Sequence, residues 1–262
     1  MNQEENKWII QDLIKNLKRN KDAVVFIGNK ALEDLNLYPI DENSKEFLNK
    51  KNMVKKPKEF WSHYKENIFK FKDISAAEKE INDFINLGCI KTIINLNYTG
   101  NIKVNDDVEL IELKGNNKVA RCMSCGKEYK ITEDMLNTDT LLKCECKGKI
   151  SPSLVMFGDK YLQSHVKDIE NAIFIEEDNE VKLNTHCLIF IGVDFEEDYM
   201  HEIIESFSSI KNKTEMNDED TYFTVLIADK DGVSIDYYQP EFATYEDIPG
   251  SINRLMNLLK EK

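Results

Sequence analysis

The stretch from Arg121 to Asp159 constrains this chain more than any other. It holds Cys122-Met123-Ser124-Cys125, then, after eighteen residues, Cys144-Glu145-Cys146, and then the run Ile150 to Asp159. Thiolates two or three residues apart on a turn can reach one tetrahedral ion together, and a second pair completes its shell. The usual pattern separates two C-x2-C pairs by about 15–20 residues. Here the second pair is C-x-C, one residue short. The set predicts a structural zinc held by Cys122, Cys125, Cys144 and Cys146, with iron as the other ion that accepts four thiolates. A disulfide framework is the alternative. The opening Met1-Asn2-Gln3-Glu4-Glu5 argues against it, because it lacks the cationic segment and apolar core of an export signal. Four thiolates leave no open position for water, so the ion reads as scaffold rather than catalyst. The next histidine downstream, His165, reads as an ordinary surface residue.

Around this stretch the apolar pattern alternates between strand and helix. Trp8, Ile9, Leu13, Ile14 and Leu17 fall at helical spacing and predict an amphipathic opening helix. Ala23 to Gly28 is a short β-rich apolar run ending in glycine. Phe60, Trp61, Tyr64, Ile68 and Phe69 are again helically spaced, and Ile74 to Leu87 follows with Ser75 placed to cap it. Ile90 to Asn97 and Val108 to Leu113 read as buried strands. Val166 to Ile175 reads as a helix, Cys187 to Gly192 as a strand and Phe195 to Ser206 as a helix. Phe223 to Ala228 then reads as the last core strand, and Ile248 to Leu259 as a closing helix. Lys211 to Asp220 reads as an exposed loop, and the lone Cys89 and Cys187 as buried structural thiols.

Alternation of this kind predicts an α/β fold with a Rossmann-like parallel sheet domain and a small inserted zinc-ribbon module. The sheet domain takes residues 1–115 and 153–262, with a mainly helical insert over 30–88, and the zinc module takes 116–152. Charge is unevenly spread. Residues 1–150 carry 26 Lys and Arg against 24 Asp and Glu, whereas residues 151–262 carry 9 against 24. The acidic second half repels phosphate backbones, which argues against nucleic acid as a partner. No apolar run reaches the length of a membrane span. Reduced cysteines, zinc and the missing export signal together predict a cytoplasmic protein.

After Cys146 come Gly148, Ile150, Pro152, Leu154, Val155, Phe157, Gly158 and Asp159. This register resembles the sirtuins, the NAD-dependent protein deacylases. In that family the last zinc cysteine leads to a glycine-containing turn, Arg-Pro-Asp, two valines and Phe-Gly-Glu. The likeness covers nearly the whole chain in layout and is specific between Val108 and Asp159. It implies a groove for an acyl-lysine peptide at Val155, Phe157, Gly158 and Asp159, in a strand-like run able to pair with an extended chain.

The likeness also carries a cofactor site. The family's Gly-Ala-Gly-x-Ser loop corresponds to Gly28-Asn29-Lys30-Ala31-Leu32, with one glycine kept, and its Pro-Asp-Phe-Arg falls at about Tyr38-Pro39-Ile40-Asp41. Its Thr-Gln-Asn-Ile-Asp corresponds to Asn95-Leu96-Asn97-Tyr98-Thr99, which keeps Asn97 and replaces the aspartate by Thr99. Its Gly-Thr-Ser corresponds to Gly192-Val193-Asp194. The resemblance therefore assigns NAD contacts to Gly28, Asn29, Lys30, Asn97, Gly192 and Asp194. The family's Glu-x-His-Gly, whose histidine is the general base on the cofactor ribose, becomes Glu112-Leu113-Lys114-Gly115. Histidine titrates near working pH, whereas lysine starts near ~10.4. These departures predict a zinc-bearing sirtuin-like binding or regulatory protein with impaired catalysis. The alternatives are an active, divergent NAD-dependent deacylase or ADP-ribosyl transferase, and a subunit whose acidic half docks a basic partner.

Overall fold

The computed structural model describes residues 3–35, 46–71, 73–156, 159–161, 163–193, 198–215, 221–227, 242–244 and 248–260. Six parallel strands form the central sheet: β1 (Ala23–Ile27), β2 (Ile90–Asn95), β3 (Glu109–Glu112), β9 (Cys187–Ile191), β10 (Phe223–Ile227) and β11 (Phe242–Thr244). Their spatial order is β11-β10-β9-β1-β2-β3. The chain thus builds outward from β1 in one direction and then returns to build in the other. Such a reversal leaves a crevice outside the carboxyl ends of the two strands where it happens, here β1 and β9.

Alternation along β1 explains why the sheet is buried on both faces. Val25 and Ile27 point into one core with Leu13 and Leu17 of α1 (Gln3–Asn20), while Val24 and Phe26 point into the other. The first core also takes aromatic residues of α3 (Pro57–Asn67), which follows the short α2 (Lys50–Lys55), and apolar residues of α4 (Ala76–Ile85) and α8 (Ile248–Lys260). The second takes Ile169 and Ile173 of α6 (Gln163–Ile173) and Ile203 and Phe207 of α7 (Asp198–Glu215). Phe26 and Phe190 stack across β1 and β9 with centroids 4.9 Å apart.

Between β3 and α6 the chain leaves the sheet and makes a second, smaller one, of order β5-β4-β6. Its strands are β4 (Gly115–Cys122), β5 (Glu128–Lys130) and β6 (Ile150–Leu154), all antiparallel, with the single-turn α5 (Glu133–Leu136) between β5 and β6. Gly115 makes the turn from one sheet into the other. Its φ is +82°, and a Cβ there would lie 1.8 Å from the Ser153 carbonyl oxygen. The Tyr64 hydroxyl donates to the Asn117 carbonyl at 2.9 Å and the Asn117 side chain to the Ile68 carbonyl at 3.1 Å, which ties the small sheet to the helical insert.

Several elements differ from the sequence-based expectation. Trp8 is 66% exposed, so the buried stripe of α1 is carried by Leu13 and Leu17. Residues 211–215 are helical rather than loop, and Lys211 is buried. Helix α6 stops at Ile173, where a hairpin begins. Its strands are β7 (Phe174–Glu177) and β8 (Glu180–Leu183), with Asp178 and Asn179 at φ +54° and +63°. Two successive positive φ values suit the tight turns that join antiparallel strands, and Asp and Asn tolerate them. A sixth core strand, β11, lies beyond Phe223–Ile227. Tyr38, Pro39, Ile40, Asp41, Phe157, Gly158 and Asp194 lie outside the described residues. Among the described residues no helix is long and apolar enough to cross a membrane.

Candidate functional site

Two cysteine knuckles build the metal centre. The Gly126 amide bonds the Cys122 carbonyl at 3.0 Å, and the Lys147 amide bonds the Cys144 carbonyl at 2.8 Å. Lys147 takes φ +66°, and this left-handed turn brings the short C-x-C pair into range. Sulfurs of the two knuckles interleave: Cys122 to Cys146 is 3.5 Å and Cys125 to Cys144 is 3.6 Å. All four Sγ atoms lie within 4.8 Å of one another. A tetrahedron with metal–sulfur bonds of about 2.3 Å has edges of about 3.8 Å, so the cluster fits zinc. A disulfide, at about 2.0 Å, is far shorter than either pair.

The surroundings favour the thiolate at Cys122 and Cys144, whereas the three neighbouring sulfurs push Cys146 up to about 12. Backbone amides of Ser124 and Gly148 donate to Cys122 and Cys146 at 3.4 Å. The Tyr129 hydroxyl donates to Cys144 at 3.0 Å and draws that thiol down to about 6. A Cβ on Gly148 would come within 2.5 Å of the Cys122 sulfur, so the second knuckle needs glycine there. Removing an outer hydrogen bond to a metal ligand typically costs about 10–100-fold in affinity. Tyr129→Phe is therefore expected to weaken zinc binding about tenfold, with the fold intact by circular dichroism, as read by competition with a chromogenic chelator. The lone thiols are structural: Cys187 is buried, and burial pushes Cys89 up to about 11.

At the carboxyl ends of β1, β2 and β9, the described members of the predicted cofactor set, Gly28, Asn29, Lys30, Asn97 and Gly192, come together. Ile27 is in register with Asn95 on one side and Ile191 on the other. Gly28 and Gly192 pack backbone to backbone: a Cβ on Gly28 would lie 2.1 Å from the Gly192 carbonyl oxygen, and one on Gly192 would lie 2.0 Å from the Ala31 nitrogen. The amides of Lys30 and Ala31 are satisfied by Gly192 and Gly28 carbonyls at 3.0 and 3.2 Å. Nearby buried side chains are less complete. The Asn95 oxygen accepts from the Asn97 amide, and the Asn97 oxygen accepts from the Thr99 amide and hydroxyl, while both Nδ2 groups lack a partner among the described residues. The buried Oδ1 of Asn29 also lacks one. Buried polar atoms without partners are costly, so a cluster of them at a strand-end crevice fits a polar ligand able to accept from the amides and donate to Asn29. NAD, with its carboxamide and ribose hydroxyls, offers both kinds of group.

A carboxylate that the sequence pattern did not assign reaches this region. Glu78, fully buried, sits in the first turn of α4, where Ser75 and Glu78 cap the helix reciprocally. Its carboxylate also accepts from the Thr99 hydroxyl and, at 2.9 Å, from the Asn101 side chain. Glu78 thus brings an acid to the loop that follows β2. A Ser-x-x-Glu pattern signals a cap, and nothing in its spacing signals the second contact. Glu78→Ala would strand the Thr99, Asn101 and Ser75 donors, and is expected to cost about 3 kcal/mol of stability, read by urea denaturation.

Lys114 follows β3 at the same sheet end, where the Leu113 amide bonds the Asn95 carbonyl at 3.0 Å. It is half-buried, and its carbonyl accepts from the Val155 amide at 3.0 Å. Beside it opens a groove of about 620 Å³ between the two sheets. Residues 109–113 and 151–155 both line it in unbroken runs. Side chains alternate across a strand, so an unbroken run means that the groove meets the strand along its edge. Both β3 and β6 are the outermost strands of their sheets. Asp159 lines the groove in an ion pair with Lys50 at 2.8 Å, and His165, expected on the open surface, lines it too, its Nδ1 buried without a partner among the described residues.

Comparison with known proteins matches this arrangement. Residues 32–192 match the model of the Sir2 family. The chain is 30% identical over 111 residues to an NAD-dependent protein deacetylase of Sulfolobus acidocaldarius, covering 40% of this chain and 44% of that protein. It is 26% identical over 190 residues to one of Clostridium tetani, covering 65% and 75%. Among solved structures, a Sir2 bound to acetylated peptide superposes with TM-score 0.69 at 16% identity, covering 95% of this chain and 97% of that one. A Sir2 homolog in complex with NAD does so with TM-score 0.69 at 15% identity, covering 95% and 93%. The family match spans more than half of the sequence and runs from the loop after β1 to the end of β9, across the zinc module, so the chain belongs to the Sir2, or sirtuin, family.

Proposed function

We propose that this chain binds NAD at the carboxyl ends of β1, β2 and β9, takes an extended acyl-lysine peptide between the edges of β3 and β6, and deacylates it slowly. The observation that carries the reading is Lys114, which stands between β3 and the Gly115 turn where the family has its general-base histidine. The unpartnered Asn29, Asn95 and Asn97 atoms support retention of the nucleotide, and the paired free edges support a peptide added as a strand. When bound, NAD supplies the ribose hydroxyl from which a base takes the proton. Lys114 brings no imidazole to that transfer, so in this reading the step loses the general-base assistance that a histidine gives.

A second reading is favoured by the same lysine. Transfer of ADP-ribose to water or to a protein acceptor depends less on that base than deacylation does. A single assay separates the readings: NAD and an acetyl-lysine peptide are mixed with the zinc-loaded protein, and nicotinamide and deacylated peptide are both quantified. Slow, matched release of the two supports the deacylase reading. Nicotinamide in excess of deacylated peptide supports ADP-ribosyl transfer, and fast matched turnover contradicts the impairment.

A further inference from the structure

The groove is acidic at one end, and a lysine-rimmed pocket adjoins the other. Strand register orders it: Cys122 pairs with Ile150 at the zinc end, and Gly115 pairs with Leu154 at the end that joins the main sheet. Ile150 and Leu154 are about 13 Å apart at the usual rise of a strand. At the main-sheet end the lining carboxylates are Glu109, Glu112 and Asp168, opposed by Lys160. Glu112 accepts from the Asn116 side chain at 3.1 Å, and no ion pair among the described residues neutralises Glu109 or Asp168.

At the zinc end the groove runs into a second, shallower pocket of about 320 Å³, and Lys50 and Met123 line both. That pocket has a floor of Met53, Val54 and Met123, and a rim of Lys51, Lys55 and Lys149 beside Lys50. Met123 is 51% exposed and offers apolar surface there. The groove's other charges at this end cancel in pairs, Lys50 with Asp159 and Arg121 with Glu128. Among the described residues no carboxylate pairs with Lys51, Lys55 or Lys149.

We infer, resting on the peptide-groove reading above, that the partner is a protein segment of split charge. It carries basic residues on one side of the acyl-lysine, against Glu109 and Asp168. On the other side it carries acidic residues next to an apolar side chain, against the lysine rim and the exposed Met123. The chain as a whole is strongly acidic, with a formal charge of −13, so general attraction alone would favour a uniformly basic peptide. Split charge is the property that the local geometry adds.

The test is calorimetric titration of two acetyl-lysine peptides of identical composition into the zinc-loaded protein. One has two lysines before the acetyl-lysine and a leucine and two glutamates after it; the other has the reverse order. Equal composition removes net charge as a cause of any difference. One order is expected to bind about tenfold more tightly at low salt. The preference should fade at high salt and disappear in the Lys51→Glu/Lys55→Glu/Lys149→Glu variant, whose changes lie on the exposed rim. Equal affinity for both orders, or a preference unaltered by the rim variant, overturns split-charge recognition and leaves the groove standing. Failure of both peptides to bind overturns the groove reading itself.

Discussion

Replacing Lys114 with histidine is expected to raise NAD-dependent deacylation about 100-fold, at the low end of the ~10²–10⁴ range that a positioned general base supplies. The backbone at this position is held in place. The Leu113 amide is pinned to the Asn95 carbonyl, the Lys114 carbonyl accepts from Val155, and Gly115 turns the chain with φ +82°. These backbone contacts do not involve the side chain at 114, so histidine enters a frame that is already formed. The gain should appear in kcat with the KM for NAD little changed, because the base acts on the reaction rather than on binding. It should also follow the titration of an imidazole, rising with pH through about 6–7.

Loss of zinc is the second large effect. Cys144→Ser removes a ligand from a four-sulfur cluster and leaves Tyr129 without its acceptor. Structural zinc contributes on the order of 10 kcal/mol to small modules of this kind, far more than three short strands can supply. The variant is expected to retain no zinc by metal analysis and to lose the fold of residues 115–154, seen as rapid amide exchange there. Strands β1, β2, β9 and β10 should stay protected, because both of their faces are covered by helices. Peptide binding should vanish with β6, which forms one wall of the groove.

The parts of this fold that were legible in the sequence are those with local periodicity. Ala23–Ile27 and Cys187–Ile191 are uninterrupted apolar runs, and such runs become strands covered on both faces. Ser75 announced α4 through its cap, and the cysteine spacing announced the metal cluster. What stayed hidden depends on distant partners. Phe242–Thr244 is only three residues long and gains its strand character from pairing with β10. Glu78 reads as a cap residue until the fold brings Thr99 and Asn101 to its carboxylate. His165 reads as a surface residue because only the fold sets the start of α6 against the groove. Lys211 and its neighbours were read as loop from polarity alone, yet the helical stripe of Ile203, Phe207 and Lys211 continues α7 through them.

The retained residues point in two directions at once. In the proposed reading, Asn97, whose Nδ2 has no partner among the described residues, keeps a contact to the cofactor, and Lys114 takes the place of the base. Binding without efficient turnover is the outcome that this reading expects. The most direct test is a calorimetric titration of NAD into the zinc-loaded protein, followed by measurement of deacylated peptide from the same sample after acetyl-lysine peptide is added. The account predicts roughly micromolar binding of NAD, lost in Asn97→Ala, together with deacylation that stays slow until Lys114 is replaced by histidine. Absence of binding at millimolar NAD, or wild-type turnover equal to that of Lys114→His, would contradict it.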